Sequence, residues 1–116
     1  MSRESIFITG LGLVLPCGDG LTAAREAWIR QSPAFRDLPP MLGEGRGAAC
    51  LQFNPAGIIP PMQLRRLDRP SRFAWVAAHQ AFVDAGIEPG PVGEDIGLAA
   101  GTLTGGSEAG EAFITP

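Results

Sequence analysis

The order of apolar segments predicts an α/β fold, a mostly parallel sheet with helices packed on it. Three observations carry that expectation. Ile6-Phe7-Ile8 is a β-branched and aromatic run ending at Thr9-Gly10, and Asp95-Ile96-Gly97-Leu98-Ala99-Ala100-Gly101 is a second apolar run ending in glycine. Short apolar runs closed by glycine have the pattern of strands buried on both faces. Between them, Ala74, Ala77, Ala78, Ala81, Phe82 and Ala85 fall at i, i+3, i+4, i+7, i+8 and i+11, the spacing of one helix face. The resulting order, β-α-(β)-α-β, favours helices layered on a parallel sheet.

Each element has its own local signals. After the first run, Gly10 and Gly12 let the chain pass close to other backbone. Leu21 to Gln31 reads as a helix with Thr22 as N-cap and Ser32-Pro33 as its stop. Ala24, Ala27, Trp28 and Gln31 share one face of it, and Trp28 is expected to be a core anchor. Residues 32–62 are rich in proline and glycine and read as irregular connection, with one short strand near Ala48-Ala49-Cys50-Leu51. The alanine-rich helix is expected to begin at Asp68 or Arg69, with Pro70 tolerated in its first turn and Gly86 as its C′ stop. Gln63 to Leu67 adds a short helical turn ahead of it. Glu88 to Gly93 is a turn, and Glu108 to Phe113 begins another helix.

With 116 residues the chain is at most one domain with a modest core. Hydrophobic content of 45% against 18% charge places it among globular and not disordered sequences. The formal net charge of −3 provides no global basic field for nucleic acid. No apolar run is long enough to span a bilayer, and Met1 to Ser5 leads into a strand with no signal-peptide pattern. Cys17 and Cys50 form neither a disulfide framework nor a CxxC pair, so a reducing, cytoplasmic setting is expected.

The glycine-rich loops invite nucleotide-binding readings, which fail on particular residues. A dinucleotide fingerprint starting Gly10-x-Gly12 needs glycine or alanine where Leu15 stands, and Pro16 interrupts the helix start. Gly101-x4-Gly106 is followed by Ser107-Glu108, without the lysine of a phosphate-binding loop. Cys17 and Cys50 lack an adjacent base or helix N-terminus and read as small buried hydrophobes. His79 reads as a helix-borne structural or surface histidine, and one histidine with two distant cysteines builds no metal site. Arg65, Arg66, Arg69 and Arg72 are four of the nine basic residues within eight positions, and Arg65, Arg69 and Arg72 make one stripe if the helix runs through Pro70. Such a patch is a local positive field whose plain reading is a solvated helix start, although cations at a helix N-terminus are mildly unfavourable.

Three stretches, in order, resemble the β-ketoacyl-acyl-carrier-protein synthases. Thr9 to Gly20 is similar to the family's opening Thr-Gly-Leu-Gly, hydrophobic pair, proline and small-residue turn. Arg65-Arg66-Leu67-Asp68 and the helix ending Asp84-Ala85-Gly86-Ile87 resemble its Arg-Lys-Met-Asp and Asp-Ala-Gly-Leu. Ile96 to Gly106 is similar to its Gly-Val-Val-Val-Gly-Ser-Gly-x-Gly-Gly. The resemblance covers nearly the whole chain. It implies residues 1–116 of a partial ketosynthase domain, the N-terminal part of a thiolase-like fold, ending before the catalytic cysteine. The family's activity is decarboxylative condensation of an acyl thioester with malonyl-carrier protein, in fatty acid or polyketide-type biosynthesis. Its cysteine and two histidines have no counterpart here, so the piece alone is expected to be inert. The alternative is a non-catalytic ketosynthase-like partner that binds acyl carrier protein or a catalytic subunit. The resemblance further implies carrier-protein docking at the Arg65, Arg66, Arg69 and Arg72 patch, and a homodimer or a heterodimer with a ketosynthase subunit. No cofactor is expected beyond the phosphopantetheine that the carrier brings.

Overall fold

The computed structural model describes residues 4–88 and 96–114. Its elements in order are β1 (Val14–Leu15), β2 (Gly18–Asp19), α1 (Gly20–Ile29), β3 (Arg36–Asp37), a 3-10 turn (Pro40–Leu42) and β4 (Arg46–Gly47). They are followed by α2 (Pro61–Leu64), α3 (Arg69–Asp84) and α4 (Ser107–Ile114).

The first segment is placed by α3. A Cβ on Gly12 would collide with the carbonyl of Ala77, and one on Gly10 with the carbonyl of Ala81 and, at 2.8 Å, with the Cβ of Ala85. The loop therefore lies directly on the helix's small-residue face, which only glycine permits. Two amides of the loop turn to the same helix. Leu11 N–H donates to Asp84 Oδ2 (3.0 Å) and Leu13 N–H to Gln80 Oε1 (2.9 Å). Two residues of extended chain advance about 6.6 Å and four residues of helix about 6 Å, so donors at i, i+2 can meet acceptors at j, j−4.

From this seat the chain turns through the antiparallel pair β1/β2, with Val14 opposite Asp19 and Leu15 opposite Gly18 around Pro16-Cys17. It enters α1 at Gly20, whose N–H donates to Leu13 O at 2.7 Å. The helix is capped three residues earlier than expected. Asp19, not Thr22, is the N-cap, and it makes no side-chain cap bond. The stop is also different. Gln31 N–H bonds Trp28 O and Ser32 N–H bonds Ala27 O, with Gln31 at φ 48°. That is a left-handed Schellman closure, with glutamine where glycine is usual. At the end of α3, Gly86 N–H bonds Val83 O and Ile87 N–H bonds Phe82 O, with Gly86 at φ 70°, so the expected stop is made by the expected residue.

The connection between α1 and α2 holds a hairpin, β3 with β4, pairing Arg36 with Gly47 and Asp37 with Arg46. The strand expected at Ala48 to Leu51 does not form. Leu51 N–H folds back onto Ala49 O, and Cys50 O is taken by Arg69. Beyond it, Phe53 meets Phe73 edge-on with centroids 4.6 Å apart, and Ile59 and Val76 are the two fully buried hydrophobic side chains among the described residues.

The parallel sheet is not formed among the described residues, whose only ladders are the two antiparallel pairs; a lone parallel bridge joins Ala56 and Ile59. Ile6, Phe7 and Ile8 have no strand neighbour among the described residues and are 97, 78 and 83% exposed. Residues 96–100 are likewise exposed and unpaired. Trp28, expected in a core, is 85% exposed, with no layer opposite its face of α1 among the described residues. The turn at residues 89–93 and Asp95 lie outside the described residues. α4 forms where a further helix was expected. The radius of gyration is 17.2 Å, against about 13 Å for a compact domain of this length. No helix among the described residues is long and apolar enough to cross a membrane.

Two outcomes follow for stability. Gly12→Ala should cost about 1–3 kcal/mol, because the obstructing atoms are helix backbone and cannot rotate aside. An unchanged urea midpoint, followed by circular dichroism, would show that the loop does not sit on α3. Gln31→Gly should gain about 0.5–1 kcal/mol by relieving a left-handed side-chain-bearing residue, while Gly86→Ala should lose about 1 kcal/mol. Equal responses at the two helix ends would contradict the shared closure.

Candidate functional site

The arginine cluster spans the junction of α2 and α3, and the junction divides it. α2 ends at Leu64 with Arg65 as its C-cap, and α3 starts afresh at Arg69 behind the N-cap Asp68. Asp68 Oδ1 accepts from Ser71 N–H at 3.0 Å, the side-chain cap that α1 lacks. The interruption means that Arg65, Arg69 and Arg72 do not form the single helical stripe expected from their spacing.

Arg69 and Arg72 are engaged within the chain. The Arg69 guanidinium lies 5.4 Å from the centroid of the Phe73 ring, and its Nη2 donates to Cys50 O at 3.0 Å. It thereby ties the 50–53 loop to the start of α3. Arg72 Nε donates to Leu67 O at 2.9 Å in a partly buried contact, closing the turn between the helices. Both cations also offset the unfavourable placement of positive charge at a helix N-terminus by bonding carbonyls there. Arg65 and Arg66 are exposed and make no ion pair or side-chain hydrogen bond among the described residues. Two neighbouring guanidinium groups in solvent can meet carboxylates or phosphates of a partner bidentately.

The thiols are set apart from this cluster in chemistry. Cys17 occupies the β1–β2 turn, and both cysteines are free and half-buried. Burial pushes the Cys50 thiol up from its ordinary value, the Asp19 carboxylate adds to the rise, and Arg69 opposes it. A raised thiol holds less thiolate at neutral pH, the reverse of nucleophile activation. His79 is half-buried on α3 and lines a shallow groove with Leu11, Leu21 and Val83. Among the described residues no three histidine, cysteine or acidic side chains gather as a metal group.

Sequence reasoning missed Gln80 and Asp84, the residues that hold the first segment. The available signal was two polar acceptors one turn apart, flanking the small face of Ala77, Ala81 and Ala85.

The split of the cluster can be measured. Arg72→Ala should destabilise by about 1 kcal/mol, since it strips a partly buried carbonyl of its donor. Arg65→Ala and Arg66→Ala should each stay within about 0.5 kcal/mol of the parent. A destabilisation by Arg65→Ala matching that of Arg72→Ala would contradict the division. The cap gives a pH signature. The bonds from Ser71 to Asp68 hold its carboxyl below the usual carboxylate value, with the nearby Arg72 charge acting in the same direction. A depressed pKa contributes stability that is present above the ordinary value and lost as pH falls through the lowered one. Helix content should therefore drop in that acid range, and Asp68→Asn should remove this component of the titration; an unaltered acid limb in the variant would refute it.

No protein-family model and no solved structure matches the chain. Curated relatives do. The chain is 33% identical over 113 residues to a tetracenomycin polyketide synthase ketoacyl synthase alpha subunit of Streptomyces glaucescens, covering 90% of this chain and 26% of that protein. It is 31% identical over 111 residues to the corresponding beta subunit, covering 91% and 27%. Over 111 residues it is 26% identical to 3-oxoacyl-[acyl-carrier-protein] synthase 2 of Coxiella burnetii, covering 91% and 27%. The chain thus spans about a quarter of the length of the curated relatives it matches. Across that extent it is a partial member of the β-ketoacyl synthase family.

Proposed function

We propose that this chain is the N-terminal part of a β-ketoacyl-acyl-carrier-protein synthase and contributes structure and carrier docking, not the reacting groups. The observation that carries the reading is similarity to ketosynthases along nine-tenths of the chain. The exposed, unpaired Ile6-Phe7-Ile8 supports it, since apolar strands of this kind are completed by neighbouring strands and helices. In the whole protein the sheet would be the largely parallel sheet of a thiolase-like fold. There an acyl group would pass to a cysteine further along the sequence, malonyl-carrier protein would lose carbon dioxide, and the resulting carbanion would attack the acyl thioester. The setting would be the cytoplasm, in fatty acid or polyketide-type biosynthesis. The phosphopantetheine arm would arrive on the carrier protein.

A second reading is favoured by one observation, the nearly equal similarity to an alpha and a beta subunit of the same named synthase. On that reading the chain is a non-catalytic ketosynthase-like partner of a catalytic subunit or of acyl carrier protein.

Arg65 and Arg66 are the docking residues in either case, with Arg69 and Arg72 holding the junction that presents them. The chain alone should give no condensation product from acyl- and malonyl-carrier protein. Turnover that disappears in Cys17→Ser or Cys50→Ser would overturn the assignment. Association with acyl carrier protein should slow by roughly tenfold at low salt in the Arg65→Glu/Arg66→Glu double variant, with the difference shrinking as salt screens the pair. Unchanged association would remove the docking role. Stable complex formation with a separately expressed ketosynthase subunit would favour the second reading over the first.

A further inference from the structure

We draw no further inference here: the strongest candidate, the apolar groove between α1 and residues 32–34 lined by Leu15, Ala24, Ala27 and the exposed Trp28, is an unpartnered face, and nothing in the structure shows what covers it.

Discussion

The contact between the Gly10-Leu11-Gly12 loop and the alanine face of α3 is the constraint on which the other elements hang. Its two parts act on different groups. The absence of Cβ atoms at Gly10 and Gly12 lets backbone meet backbone, and Gln80 and Asp84 accept amides that would otherwise need a strand or water. The β1/β2 turn continues directly from this seat, and α1 is tied back to it through Leu13 O. On the other side, the first half of α3 gathers the 50–53 loop through Arg69 and Phe73. One helix thus organises both halves of the chain, its C-terminal half holding the start and its N-terminal half holding the long connection.

What α3 does not supply is a second layer. With Ile59 and Val76 as the fully buried hydrophobic side chains among the described residues, little apolar area is removed from water to offset the entropy of ordering the chain. The wide radius of gyration and the exposed Ile6, Phe7, Ile8 and Trp28 describe the same shortfall. Among the described residues these faces are apolar surface left open to solvent.

Local chemistry was legible in the sequence, and tertiary context was not. The span of α3, its start at Asp68 and its stop at Gly86 could be read because spacing, cap and αL glycine all lie within the helix itself. The end of α1 was misread because Gln31 takes the left-handed conformation without a glycine to announce it. Trp28 and the Ile6 to Ile8 run have the pattern of buried residues yet are exposed, because apolar patterns report what a face needs and not whether its partner is present. The arginine spacing suggested one stripe, but Asp68 caps a new helix in the middle of it, so two guanidinium groups turn to carbonyls and two remain in solvent. Gly10 and Gly12 announce a close approach by themselves, while the identity of the approached helix comes only with the fold.

The matched steps of loop and helix make the placement of the first segment self-checking. Shift the loop by one residue and Leu11 and Leu13 would bring their side chains onto Ala81 and Ala77, where even a methyl does not fit. The same shift would carry the two amides away from Gln80 and Asp84, leaving donors and acceptors both unmet. A misaligned strand would therefore fail a steric test and a polar test together. The segment thus carries its own proofreading against one helix, and its register needs no neighbouring strand to define it.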